Sequence, residues 1–397
     1  MYKAAASSST TATTATKVGT DGPATGDPFV IGMVNTEGTP GLDFPDIRKF
    51  ALGSADYLNQ HGGFAGRPIK LETCIAKGSP ETSQACAQEL AGKKVQFVLL
   101  GLDLFPDYKT YKAASIPVIG TLPILPGDYT AEALFLTGGN ATSTAAMAVV
   151  ATDPKFRGAK TVGIVSSDNA GANATAASLE AALKVAGVTP KIVKGGDNET
   201  DAGYQGLMRE IAKDKPDVII SLYSDAGCIG TIRGRAALGI QIPVITTSIC
   251  ASKDVIDAVG DDALGWTFAG IQTEVDTPEA KVLRQVGAPI LKIPEAKVTA
   301  SSLGLGGLGF LGVMSLAQYA GKLSAAGKTV TGASLYDYLK ATKGLTLFGG
   351  QTPIECGASP KYPSICSFVF PFAEYNKGGK ITTIKGGEAV SSIALLP

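Results

Sequence analysis

Apolar and polar positions along this chain follow two rhythms that take turns. A short apolar run at 29–34 ends in the polar loop Asn35-Thr36-Glu37-Gly38-Thr39-Pro40-Gly41. In the segment 46–60 that follows, Ile47, Phe50, Ala51, Ala55 and Leu58 recur at the helical interval, and Gly62-Gly63 stops it. A second run at 69–74 predicts a strand, and Ser79-Pro80 then caps and opens a helix to about residue 91. Strands are expected at 95–100 and 117–120, with a short helix between them ending near 114. After a break the rhythm restarts. Helices are expected at 142–151, 173–186, 204–213 and 226–238, and strands at 161–166, 191–193, 218–222, 244–247 and 266–269. The runs 95–100 and 218–222 are almost continuously apolar, as strands covered on both faces are. Three further helices are expected at 277–286, 303–323 and 333–341. Beyond Gly349-Gly350 the pattern turns to alternation, with 367–375 and 381–385 flanking the hairpin signal Asn376-Lys377-Gly378-Gly379.

The strand–helix–strand unit therefore occurs twice, starting near 29 and near 161, as a repeat of topology and not of sequence. The expected fold is α/β, with two doubly wound parallel-sheet lobes. In such sheets ligands bind at the carboxyl ends of the strands. The late helices and the terminal hairpin cannot fold alone, so each must complete a lobe already begun. The chain then crosses between the lobes more than once, which makes a hinge.

Composition narrows the function classes. A chain of 397 residues fits two domains, and 45% hydrophobic with 18% charged residues supplies two cores. Lys+Arg and Asp+Glu both number 35, and residues 1–26 hold only Lys3 and Lys17 as basic groups, so no nucleic-acid partner is expected. A lone histidine, His61, excludes most histidine triads and metal clusters. Gly304, Gly306 and Gly309 match the dinucleotide fingerprint literally, but no strand precedes them, so close helix packing is the expected use. Neither enzyme activity nor a cofactor or metal is expected. The six cysteines fall into three local couples, Cys74 and Cys86, Cys228 and Cys250, Cys356 and Cys366. Pairing within couples is the simplest of the 15 connectivities and points to an oxidising compartment; six buried thiols are the alternative. No apolar run reaches membrane-spanning length. Residues 1–26, rich in Ser, Thr, Ala and Gly, read as a flexible tether. The expectation is an exported protein, periplasmic or lipid-anchored on the outer face of the cell membrane, whose signal and anchor cysteine have been replaced by Met1.

The stretch Asn59-Gln60-His61-Gly62-Gly63-Phe64-Ala65-Gly66-Arg67-Pro68-Ile69, the following strand with Cys74, and the segment Arg233-Gly234-Arg235-Ala236-Ala237-Leu238-Gly239 carry a resemblance. Over roughly residues 28–390 the chain resembles the leucine/isoleucine/valine-binding proteins of bacterial ABC importers, which have the type I periplasmic-binding fold. The resemblance implies two lobes closing on one ligand about a three-strand hinge, with crossovers near 143, 275 and 346. Lobe one would hold 27–143 and 275–345, and lobe two 144–274 and 346–397. Amino-acid binders of the family carry a Ser/Thr-rich loop after the third strand for the ligand carboxylate; here it reads Gly101-Leu102-Asp103-Leu104-Phe105. The next loop, Gly120-Thr121-Leu122-Pro123, keeps one hydroxyl. The matching second-lobe positions are Asp168-Asn169, Ser224-Asp225 and Ser248. The family's usual partner of Cys74 is missing, and Cys86 is its substitute.

The candidate ligand-binding set is Leu102, Asp103, Leu104, Phe105, Thr121, Leu122, Asn140, Asp168, Asn169, Ser224, Asp225 and Ser248. Asp103, Asp168 and Asp225 precede helices and could instead cap them. Leu102, Leu104 and Phe105 point to a partly apolar ligand, or to core packing. The expected function is capture of a branched-chain or other hydrophobic amino acid, or of an aromatic or alicyclic acid, by a monomer that delivers it to an ABC permease. A sensory receptor domain of the same fold, or a doubly wound enzyme, are the alternatives.

Overall fold

The computed structural model describes residues 22–39, 43–270, 276–378, 380–384 and 389–397. Most of the expected tether lies outside the described residues. At residues 24 and 25 the chain is already pinned, because the Ala24 amide donates to the Asn59 carbonyl (2.8 Å) and that of Thr25 to Gly66 (3.2 Å).

The first sheet is wholly parallel, in the order β2 (Ile69–Ala76), β1 (Phe29–Thr36), β3 (Val98–Leu100), β4 (Val118–Gly120), β5 (Leu134–Phe135). Helices on both faces bury its continuous apolar strands. On one face lie α1 (Pro45–Gln60), α9 (Pro278–Leu291), α10 (Gly306–Ala325) and α11 (Gly332–Ala341), and on the other α2 (Pro80–Gly92) and α3 (Tyr108–Ala113). The glycine-rich motif crosses α1. A Cβ on Gly309 would sit 1.9 Å from the Ile47 carbonyl oxygen, and one on Gly306 2.3 Å from the Phe50 ring. The motif is thus a helix-crossing device, as its lack of a preceding strand predicted.

The turn between α1 and β2 shows why its residues are what they are. Asn59 brackets Ile69, accepting from its amide at 2.6 Å and donating to its carbonyl at 3.0 Å. Phe64 is fully buried with its ring 4.6 Å from that of Phe29, and Arg67 lies over the same ring while donating to the Asp27 and Pro28 carbonyls. The turn therefore fastens the start of β1.

The second sheet runs β15 (Lys380–Thr383), β14 (Phe372–Asn376), β10 (Trp266–Ala269), β9 (Val244–Thr247), β8 (Val218–Leu222), β6 (Val162–Ser167), β7 (Lys191–Gly195). Strands β6 to β10 are parallel, and the terminal hairpin adds β14 and β15 antiparallel to them. One face is covered by α4 (Gly139–Thr152) and α5 (Ala170–Val185), the other by α6 (Asp201–Ala212), α7 (Asp225–Ala237) and α8 (Lys253–Val259). Two small pairs complete the structure, β11 (Leu345–Thr346) with β12 (Pro353–Ile354) and β13 (Val369–Phe370) with β16 (Val390–Ser391).

The three disulfides join Cys74 to Cys86, Cys228 to Cys250 and Cys356 to Cys366, the nearest-neighbour pairing. Each closes a short loop and contributes about 3 kcal/mol. They fit an exported protein. Among the described residues no helix is long and apolar enough to cross a membrane.

Two crossings between the sheets are visible. The first follows β5, since α4 already packs on the second sheet. The last comes later than the expected boundary at 346. Ile354, Cys356, Ile365, Cys366 and Phe368 are buried apolar groups in the cores around the first sheet. The Phe135 amide donates to Ser364 (2.7 Å) and that of Cys366 to Phe135 (2.9 Å), so this stretch extends the β5 edge. The chain rejoins the second sheet only at β14. The expected crossing at 275 lies outside the described residues.

Candidate functional site

All but one of the twelve candidate residues stand at the carboxyl ends of parallel strands, in one group per sheet. In the first group, Asn35 near the end of β1 organises its neighbours. Its Oδ1 accepts from the Leu102 amide (3.0 Å), and its Nδ2 donates to Glu37 (3.1 Å) and to the Phe44 carbonyl (2.8 Å). Glu37 holds the Arg48 guanidinium through two bonds of 2.6 and 2.7 Å. Burial pushes the Glu37 carboxyl up, but the hydrogen bonds from Arg48 and Asn35 outweigh it and hold the group below its ordinary value. In the sequence, Asn35 and Glu37 read only as loop residues. The available signal was a polar pair directly after a continuous apolar strand.

After β3, Leu102 is a core residue whose carbonyl accepts from Thr36 (2.8 Å). Asp103 is 3% exposed. Its Oδ1 accepts from the Ser83 hydroxyl (2.6 Å) and the Phe105 amide (3.2 Å), while Oδ2 has no partner among the described residues. Burial raises its carboxyl above the ordinary value, against the hydrogen bond from Ser83. Asp103 does not cap a helix. That role falls to Asp107, which accepts from the Thr110 amide (3.2 Å) and hydroxyl (2.6 Å) at the start of α3. Leu104 is half-buried against the core, and Phe105 is 39% exposed.

After β4, the buried Thr121 hydroxyl donates to the Leu100 and Gly101 carbonyls, each at 3.3 Å, and Leu122 is half-buried. Asp128 gathers the rest of this loop, accepting from the Ile124 amide (2.7 Å), the Leu125 amide (2.9 Å) and the Tyr108 hydroxyl (2.6 Å). Burial first, then the Asp103 and Asp107 charges, push the Tyr111 hydroxyl well above its ordinary value, and it too has no partner among the described residues.

In the second group, Asn169 after β6 caps α5 by accepting from the Ala172 amide (2.8 Å). Its Nδ2 donates to Asp197 (2.7 Å), which also accepts from the Ser167 hydroxyl. Those two bonds hold the Asp197 carboxyl below its ordinary value. Asp168 is exposed and is not the cap; it accepts from the Asn173 amide group (3.1 Å). After β8, Ser224 stands at the start of α7, exposed and without a capping bond. The Asp225 side chain lies outside what the structure describes. After β9, Ser248 is exposed and opens a short turn. Asn140 falls elsewhere, exposed in the first turn of α4 beside the first crossing, where its carbonyl accepts from Thr144 (2.7 Å).

Large exposed apolar side chains gather at the same strand ends. Ile75, Phe105 and Leu125 do so on the first sheet and Ile249 on the second. Two concavities lie elsewhere, one of about 360 Å³ along α6 and α7 and one of about 460 Å³ between the end of α4 and residues 389–395, and neither includes a candidate residue. Among the described residues no group of three or more His, Cys, Asp or Glu could hold a metal ion.

The sequence pattern of the family described as "Periplasmic binding protein" matches residues 28–359. No curated protein has a matching sequence. Among solved structures, the chain is similar to an ABC transporter substrate-binding protein from Sphaerobacter thermophilus, at 18% identity and a TM-score of 0.68, covering 93% of this chain and 100% of that one. It is similar to a solute-binding protein of an ABC transporter from R. palustris in complex with benzoate, at 17% identity and a TM-score of 0.60, covering 93% and 99%. It is also similar to the branched-chain amino acid transporter substrate-binding protein from Streptococcus pneumoniae in complex with isoleucine, at 16% identity and a TM-score of 0.60, covering 92% and 100%. A pattern matched across most of the chain, carried on one parallel and one largely parallel sheet with the type I topology, places this chain in the periplasmic binding protein family.

Proposed function

We propose that this protein is the extracytoplasmic solute-binding subunit of an ABC importer, and that it captures a small, partly apolar ligand between two closing lobes without transforming it. The observation that carries the reading is the paired placement of the candidate residues. Leu102–Phe105 with Thr121 and Leu122 end strands of one sheet, Asp168, Asn169, Ser224, Asp225 and Ser248 end strands of the other, and the chain crosses between the sheets beside Asn140. In open α/β sheets this is where ligands bind, and a hinge lets the closed state be selected by contacts that only it makes. Lobe one would comprise 27–138, the helices α9 to α11 and the chain up to Phe368; lobe two would take the remainder. The exposed Phe105, Leu125 and Ile249 favour a ligand with an apolar body. Benzoate and isoleucine in two structural neighbours support the same size class, a hydrophobic amino acid or an aromatic or alicyclic acid. The closed, loaded form would dock as a monomer on its permease, and a lipid anchor ahead of the tail would keep it at the membrane.

A thermal-shift screen over leucine, isoleucine, valine, benzoate and hydroxybenzoates tests this. A true ligand at 100 times its Kd adds about 2.7 kcal/mol and raises the melting temperature accordingly. A screen of such compounds in which none shifts melting would count against the reading.

A further inference from the structure

We propose that Tyr129 and Tyr362 form a clamp beside the hinge, which holds the two lobes at their resting angle when no ligand is bound. The inference rests on the closing motion proposed above and assigns the residues that set its starting point.

The two tyrosines stand together on the first lobe. Tyr129 follows β4 in a short helical turn, and Tyr362 lies in the stretch that extends the β5 edge. Their ring centroids are 5.2 Å apart with the planes at 60°, an arrangement in which aromatic rings hold each other in place. Both hydroxyls reach chain that belongs to the second lobe. That of Tyr129 accepts from the Ala141 amide (3.2 Å) in the first turn of α4. The residue ahead of this helix is Gly138, which has no side chain to cap it, so a first-lobe side chain satisfies one of its open amides. The Tyr362 hydroxyl donates to the Pro397 carbonyl (3.1 Å).

The segment that Tyr362 holds is itself shared between the lobes. Leu396 packs against the core under α4 and α5 on the second sheet and against the core under α2 and α3 on the first. Ser392 is fully buried, and its amide (2.8 Å) and hydroxyl (3.0 Å) both donate to the Phe368 carbonyl, where the last crossing begins. The pivot runs through the same place. A Cβ on Gly138 would lie 2.5 Å from the Ser367 carbonyl oxygen and 2.9 Å from the Phe370 ring, so the first and last crossings touch there. Gly139 has a φ of +64°, and a Cβ on it would lie 2.8 Å from the Tyr129 hydroxyl. The tyrosines therefore join the two sides of the point about which the lobes turn. Contacts made at one lobe angle and lost at another bias the population toward the first.

Spin-label distance measurement on the full, ligand-free chain tests the clamp. Nitroxides carried on p-acetylphenylalanine at Lys112 and Lys184, exposed positions in the last turns of α3 and α5, report the separation of the lobes and leave the disulfides intact. Tyr129→Phe and Tyr362→Phe keep the ring pair and remove one hydroxyl each. Each is expected to raise the fraction of molecules outside the wild-type distance range about fivefold, and the double variant by more. Tyr204→Phe removes a hydroxyl that donates to the Asp197 carbonyl (2.8 Å) inside the second lobe, and is expected to leave the distribution unchanged. The proposal is overturned if both single variants fold with the wild-type distribution, or if Tyr204→Phe broadens it as much as they do. Should one of the two fail to fold, the other decides. No ligand enters this experiment, so its failure leaves the solute-binding reading standing. That reading fails separately, if a bound, saturating ligand does not change the same distance.

Discussion

At the scale of single residues, polar groups at the strand ends serve mainly to hold loops in shape. Glu37 is the clearest case, because its carboxylate holds Arg48 and its carbonyl accepts from Lys77. Its depressed carboxyl sets the sign of its contribution to stability. That contribution is fully present above the ordinary carboxylate value, and it is lost as pH falls through the lower folded value. Glu37→Gln should therefore cost about 1–3 kcal/mol at neutral pH by leaving the guanidinium short of its partner. Urea unfolding at descending pH should bring variant and wild type together; a gap that persists in acid would mean the loss is one of packing.

The same scale shows what a sequence hides. Asp103 reads as a cap candidate, yet the cap of α3 is Asp107, because Pro106 holds the chain out of the helix until that residue. Asn169 rather than Asp168 caps α5 for a reason no single position reveals, since Asp197, thirty residues beyond Ser167, fixes its orientation.

Among the elements, long and strongly periodic segments were legible. Helices α1, α2 and α7 and strands β8, β9 and β10 lie within a residue of where the pattern puts them. The two-residue β5 and the short α8 were not foreseen, because too few positions repeat to show a period. The start of α6 was placed late; Thr200 caps it through the Gly203 amide (3.2 Å), four residues before the first buried side chain, Tyr204. The glycines of α10 bear a prediction of their own. Gly309→Ala drives a Cβ into the Ile47 carbonyl and should cost about 1–3 kcal/mol or more, whereas Gly321 on the same helix faces open space, and Gly321→Ala should gain about 0.5–1 kcal/mol. Guanidinium midpoints that move alike in both variants would contradict the packing role of the motif.

For the whole molecule, the doubling of the fold was visible in the order of strands and helices, and the three disulfides in the cysteine spacing. What remained out of reach was the place where the chain finally leaves the first lobe. Residues 353–368 look like a polar, proline-marked loop, yet Ile354, Ile365 and Phe368 are buried. Their partners are the β5 edge and cores built far earlier in the chain, and no local pattern announces such contacts. The candidate site was legible as a set of strand ends, because topology alone places them. The division of labour within it was not, since hydrogen bonds such as Asn35 to Leu102 join residues far apart in sequence.

The account depends on two lobes that approach each other when a solute fills the space between them. Small-angle X-ray scattering of the chain, alone and saturated with the compound that raises its melting temperature most, measures this directly. A smaller radius of gyration in the loaded protein, from a starting value above the roughly 21 Å of a compact chain of this length, is the predicted result. Identical scattering curves with and without a bound, saturating ligand would contradict it.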